Sequence, residues 1–66
     1  MSKIHDTYRF IIRDGPTIVQ GGITNDLARS RAEGRLKWPN GRFFQVGERT
    51  TDQDAREWAK RNGFTS

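Results

Sequence analysis

From Thr7 to Arg13 the chain alternates, with Tyr8, Phe10 and Ile12 on one side and Thr7, Arg9 and Arg13 on the other. A two-residue period with one apolar side predicts a strand buried on one face. Asp14-Gly15 supplies a turn and Pro16 pins its exit. The β-branched Thr17, Ile18 and Val19 predict a second strand, which closes a hairpin with the first. Gly21 and Gly22 are expected to end that strand.

Thr24-Asn25-Asp26 reads as a helix start, with Asn25 or Thr24 as the cap and Asp26 favouring the positive end of the helix dipole. Ala28, Ala32 and Leu36 recur at four-residue spacing and predict a narrow apolar stripe on that helix. Gly34 weakens the helix, and Trp38-Pro39-Asn40-Gly41 ends it. Arg42 to Arg49, holding Phe43, Phe44 and Val46, reads as a third strand. Thr51-Asp52-Gln53-Asp54 approximates a capping box, with Asp where Glu or Gln is usual. A second helix runs to about Arg61 with Ala55, Trp58 and Ala59 inside, and Asn62-Gly63 closes it as a left-handed cap would. The order is β-β-α-β-α: an α+β fold of three antiparallel strands with two packed helices.

Size limits what such a fold can hold. The 66 residues are expected to form one small domain, residues 1–66, with 1–5 as a loose leader. The core must draw on Tyr8, Phe10, Ile12, Ile18, Leu36, Trp38, Phe43, Val46 and Trp58. There is no cysteine, which removes disulfides and thiolate metal sites, and His5 is the only histidine, which removes a multi-histidine zinc site. The longest apolar run, Phe10-Ile11-Ile12, is too short for a membrane span or a signal-peptide core. The expectation is a soluble, cytoplasmic protein with no membrane partner.

Charge changes the picture further. Twelve Lys and Arg against eight Asp and Glu give +4 and a pI near 10.4. That excess favours encounters with polyanions without identifying one. Acid–base spacing explains much of the helical charge by itself: Arg29, Glu33 and Lys37 form an i, i+4, i+8 column that can pair with itself, as can Asp52 with Arg56 and Glu57 with Arg61. Arg31 and Arg35 differ, because they share a column with no acid on it. Arg42 lies just past the loop, and Lys60 is also unpaired within its helix. Arg9 and Arg13 project from the first strand beside Asp6 and Asp14.

The series of a hairpin, a glycine, the helix start "ITNDL" with arginines, a strand ending "VG" and a tryptophan-bearing helix resembles the GIY-YIG nuclease fold in a minimal form. The likeness covers about residues 7–61, and Gly22 to Leu27 is its best-matched segment. Tyr8 stands where the first motif has its tyrosine, although Asp6-Thr7 replaces the glycine and isoleucine before it. Gln20-Gly21-Gly22 stands in for Tyr-Ile-Gly of the second. In that family tyrosines and a first-helix arginine hold the scissile phosphate, while a glutamate on the last helix binds a divalent metal. Here the second-motif tyrosine is Gln20, and the arginine falls on Ser30 between Arg29 and Arg31. The histidine or tyrosine one turn later falls on Gly34, and the glutamate on Ala59. At about 100° per residue, none of Arg29, Arg31 and Glu57 replaces the missing group without a register shift. The resemblance therefore implies a catalytically silent member with no catalytic residue, no cofactor and no metal.

What such a chain keeps is a positive helix. Arg31, Arg35 and Arg42, with Tyr8, Thr24 and Asn25 near the helix start, are the candidate nucleic-acid contacts, arginine forks and cap amides both suiting phosphate. Trp38 and Trp58 have the chemistry to stack on bases, but in a chain this small they are expected in the core. Gly21-Gly22 resembles a phosphate loop only loosely; a bulge or a close backbone approach is the preferred reading. The main alternative to nucleic acid, DNA or RNA, is an acidic protein partner, the chain being a small inhibitor or adaptor. A free-standing protein with a worn nuclease site also suggests, by association, a phage or mobile element. A third reading, an active nuclease with a rearranged site, would draw a metal ligand from Glu57 or the acids of 52–54.

Overall fold

A computed structural model describes residues 5–64. Its elements are β1 (Tyr8–Asp14), β2 (Thr17–Thr24), α1 (Leu27–Lys37), β3 (Arg42–Gln45) and α2 (Asp52–Arg61). The strands form one antiparallel sheet in the order β2-β1-β3. This is the α+β class and the β-β-α-β-α order expected from the sequence.

β1 is central and carries the core. Ile12 and Phe10 are buried on it, and Phe10 stacks on Phe43 of β3 with ring centroids 4.9 Å apart. The register sets the two faces. Phe10 and Ile12 share one with Gly22, Gln20 and Phe43, while Arg9, Ile11 and Arg13 share the other with Ile23, Gly21, Phe44 and Arg42. α1 lies on the first face, where a Cβ at Gly34 would stand 2.7 Å from Ile12 Cδ1. The C-terminal end of α2 meets the second, where a Cβ at Gly21 would strike the ring of Phe64 at 2.5 Å.

Several expectations are corrected by this arrangement. β2 runs through both glycines to Thr24, because Gly22 lies against the ring of Phe10 and Gly21 against that of Phe64. The preferred reading of a close backbone approach therefore holds, while the bulge falls elsewhere, between Ile12 and Arg13 opposite Gln20 and Ile18. Thr7, expected on a solvent face, is buried and pairs with Thr50 through hydrogen bonds of 3.0 and 2.7 Å. β3 is shorter than expected, since Gly47 at φ 68° turns the chain away after Val46.

The largest correction concerns α1. Leu36 is 85% exposed, and Ala28 and Ala32 are exposed with it. The helix meets the sheet through Gly34 instead. A side chain there would hold the helix off Ile12, so the smallest residue makes the contact. Ile18 and Phe44 also lie outside the core, at 49% and 45% exposure.

α2 follows the sequence closely. Thr51 caps it by accepting from the Asp54 N–H at 3.2 Å, and Ala55 and Ala59 are buried. Its end is a Schellman arrangement: Gly63, at φ 72°, donates to Lys60 O at 3.2 Å and Phe64 to Ala59 O at 2.8 Å. That motif delivers Phe64 to Trp58, 5.3 Å between centroids, and to Gly21.

Candidate functional site

Three of the arginines singled out in the sequence come together. Arg31 and Arg35 from α1 and Arg42 from the start of β3 line one depression of about 290 Å³, floored by Ile12, Gly34, Gly41 and Phe43. The close seat of Gly34 on Ile12 brings the arginine-bearing side of α1 down toward β3. The Arg31 guanidinium lies over the Phe43 ring, 5.6 Å from its centroid. No carboxylate among the described residues lines this depression. Among the described residues, the ion pairs are Arg29–Glu33 at 3.1 Å, Arg56–Asp52 at 2.6 Å and Arg61–Glu57 at 3.9 Å, all expected from the i, i+4 spacing, while Lys37, the third member of the Arg29 column, forms none. Arg31, Arg35 and Arg42 belong to none of them.

Tyr8, Thr24 and Asn25 lie elsewhere. Tyr8 pairs with Thr24 at the opposite end of β1 from Arg13, whose partner is Arg42. Five residue steps of strand separate Tyr8 from Arg13, about 17 Å at about 3.4 Å per step. Thr24 and Asn25 line a different depression with Asp6, Thr7, Ile23, Asp52 and Arg56. Moreover, the cap of α1 is Asp26, not Asn25 or Thr24. Asp26 has extended backbone angles, and its carboxylate accepts from the Arg29 N–H at 3.1 Å. The Thr24 hydroxyl accepts from the Asp26 N–H at 3.0 Å and donates to Asp26 O at 3.1 Å. A carboxylate thus occupies the positive end of the helix dipole, and a phosphate arriving there would meet like charge.

Gln20, Ser30 and Gly34 do share one small depression, of about 220 Å³, with Phe10, Glu33 and Lys37. Gln20 is engaged structurally: its Oε1 accepts from Trp38 Nε1 at 2.9 Å. Trp38 and Trp58 are both partly buried, the first tied to Gln20 and the second set against Phe64. Ala59 is buried, while Glu57 is exposed two residues before it. Among the described residues no three His, Cys, Asp or Glu side chains form a group able to hold a metal ion. No described helix is long and apolar enough to cross a membrane.

Further residues join the basic region. Arg13, Asn40, Arg42 and Phe44, with Gly15, line a second depression of about 510 Å³, so Arg42 stands on the rim between the two. The sequence places Arg13 beside Asp14, but no ion pair forms between them. Phe44 reads in the sequence only as strand content. Strand alternation carries the missing signal, because adjacent Phe43 and Phe44 must face opposite sides of the sheet. Compared with known proteins, the chain matches no family model, and no curated protein or solved structure resembles it closely enough to count as a match.

Proposed function

We propose that the chain is a non-catalytic nucleic-acid-binding domain of GIY-YIG-like type, gripping phosphates with Arg31, Arg35 and Arg42. The observation that carries this reading is the convergence of those three arginines, from two elements, on one depression without a carboxylate. Guanidinium forks suit phosphate oxygens, and three together suit a chain of phosphates better than a single anion. The non-catalytic part rests on the resemblance: its reactive positions hold Gln20, Ser30, Gly34 and Ala59. Tyr8, Thr24 and Asn25 play no part in the proposed grip.

The test is fluorescence anisotropy with short labelled DNA and RNA in the presence of Mg²⁺, the oligonucleotides being checked afterwards on a gel. If each of the three arginines neutralises one phosphate, affinity for duplex falls about 40-fold between about 50 and 200 mM salt, and about 20-fold for a single strand. Arg31→Glu with Arg35→Glu abolishes binding. Salt-insensitive binding, or full binding by the double variant, rejects the arginine cluster as the site; cleaved oligonucleotide rejects the non-catalytic reading.

One observation favours a second reading, an acidic protein partner. The exposed stripe of Ala28, Ala32 and Leu36 borders Arg31 and Arg35. An apolar strip with unpaired cations beside it suits a partner ridge edged with carboxylates. Capture of such a partner would survive nuclease treatment and be lost in Leu36→Glu.

A further inference from the structure

We infer that Phe44 is a stacking platform for an unpaired base, so that the arginine site takes single-stranded nucleic acid in preference to duplex. This rests on the nucleic-acid reading above and names its substrate class. Phe44 leaves 45% of its surface open, although it stands on the middle rung of β3 opposite Ile11. The reason is coverage. On that face α2 brings Phe64 to Gly21, but toward the hairpin end Arg13, Ile18, Arg42 and Phe44 are all exposed.

The neighbours of Phe44 supply the rest of a single-strand site. Arg13 and Arg42 are register partners on adjacent strands, and like charges directly opposite one another weaken a ladder. No acid pairs with either among the described residues, so a bound phosphate would relieve that repulsion. Asn40 adds amide donors and an acceptor on the same rim. The two depressions lie on opposite faces of the sheet and Arg42 borders both, so a backbone would pass from Arg31 and Arg35 around the β3 edge at Arg42 to Arg13. An aromatic ring beside a basic track is how single strands are held without sequence preference. A base paired within a duplex cannot offer its face to a ring without leaving the stack.

The experiment compares a labelled 12-mer of oligo-dT with a mixed-sequence duplex of the same length at about 50 mM salt. The proteins are the unaltered chain, Phe44→Ala, Phe44→Trp and the Arg31→Glu, Arg35→Glu double variant. Phe44→Ala is expected to weaken the single strand about 5- to 150-fold and the duplex less than about 2-fold. Phe44→Trp is expected to keep single-strand affinity and to add fluorescence that oligo-dT quenches. Equal losses on both ligands, no loss on either, or added fluorescence in Phe44→Trp that stays unquenched while affinity is retained would each overturn the platform. If the unaltered chain binds neither oligonucleotide, the wider reading fails with it. If it binds both and only the arginine double variant matters, the wider reading stands and Phe44 is excluded. Should Phe44→Ala fail to fold, Phe44→Leu keeps the apolar bulk without the aromatic face, and the same selective loss on the single strand is expected.

Discussion

The Arg31 guanidinium lies 5.6 Å from the centroid of the Phe43 ring, and that ring stacks in turn on Phe10. One member of the basic cluster is therefore held in place by the core. Among the described residues no aromatic ring lies beneath Arg35. A side chain already positioned loses less freedom when it meets its ligand.

It follows that the two arginines will not tolerate lysine equally. Arg31→Lys keeps the charge but replaces a flat, stacking fork with a compact ammonium. Polyanion affinity should fall about 2- to 5-fold, the size of an exposed cation–π contact. Arg35→Lys should cost less than that. Anisotropy titrations of both variants at one fixed salt concentration check the ordering, and equal losses would remove any role for Phe43 in placing Arg31.

Leu36 and Ile12 should separate sharply in stability. Leu36 is 85% exposed and Ile12 only 2%. Leu36→Lys should change unfolding free energy by no more than about 0.5 kcal/mol, as ordinary surface substitutions do. Ile12→Ala should cost about 2–5 kcal/mol, through lost transfer energy and a cavity beneath α1. Urea denaturation monitored by circular dichroism reads both. A large loss at Leu36 would mean that the Ala28–Ala32–Leu36 stripe is covered in solution, by a second copy of the chain or another segment.

Gly21→Ala should be the most informative small substitution. Its methyl group would meet three atoms of the Phe64 ring at 2.5–2.6 Å, so the ring must leave the sheet. Overpacking of this kind costs about 1–3 kcal/mol. Displacing Phe64 also releases its contact with Trp58. Tryptophan emission should shift to the red alongside the lower urea midpoint. A Gly21→Ala chain of unchanged stability and emission would show that Phe64 does not rest there.

Local chemistry was legible in the sequence. The alternation of Tyr8, Phe10 and Ile12, the Asp14-Gly15-Pro16 turn, the Thr51 cap and the Asn62-Gly63 end each depend on residues within a few positions of one another. So do the three i, i+4 ion pairs, and with them the recognition that Arg31 and Arg35 lack acids. Such signals need no knowledge of what the element will touch.

Which side of each element faces inward was decided only in three dimensions. The four-residue stripe of Ala28, Ala32 and Leu36 pointed the wrong way because α1 approaches the sheet through an absence, the missing side chain of Gly34 over Ile12. Hydrophobic periodicity registers apolar side chains and is blind to a gap that lets a helix come close. In the same way, Gly21 and Gly22 read as a strand end, yet they are the places where the rings of Phe64 and Phe10 lie on β2. The proposed sites followed from those placements. Arg42 lines one depression with Arg31 and Arg35 because α1 sits low over β3, and Phe44 is open because the far end of its sheet face is left uncovered.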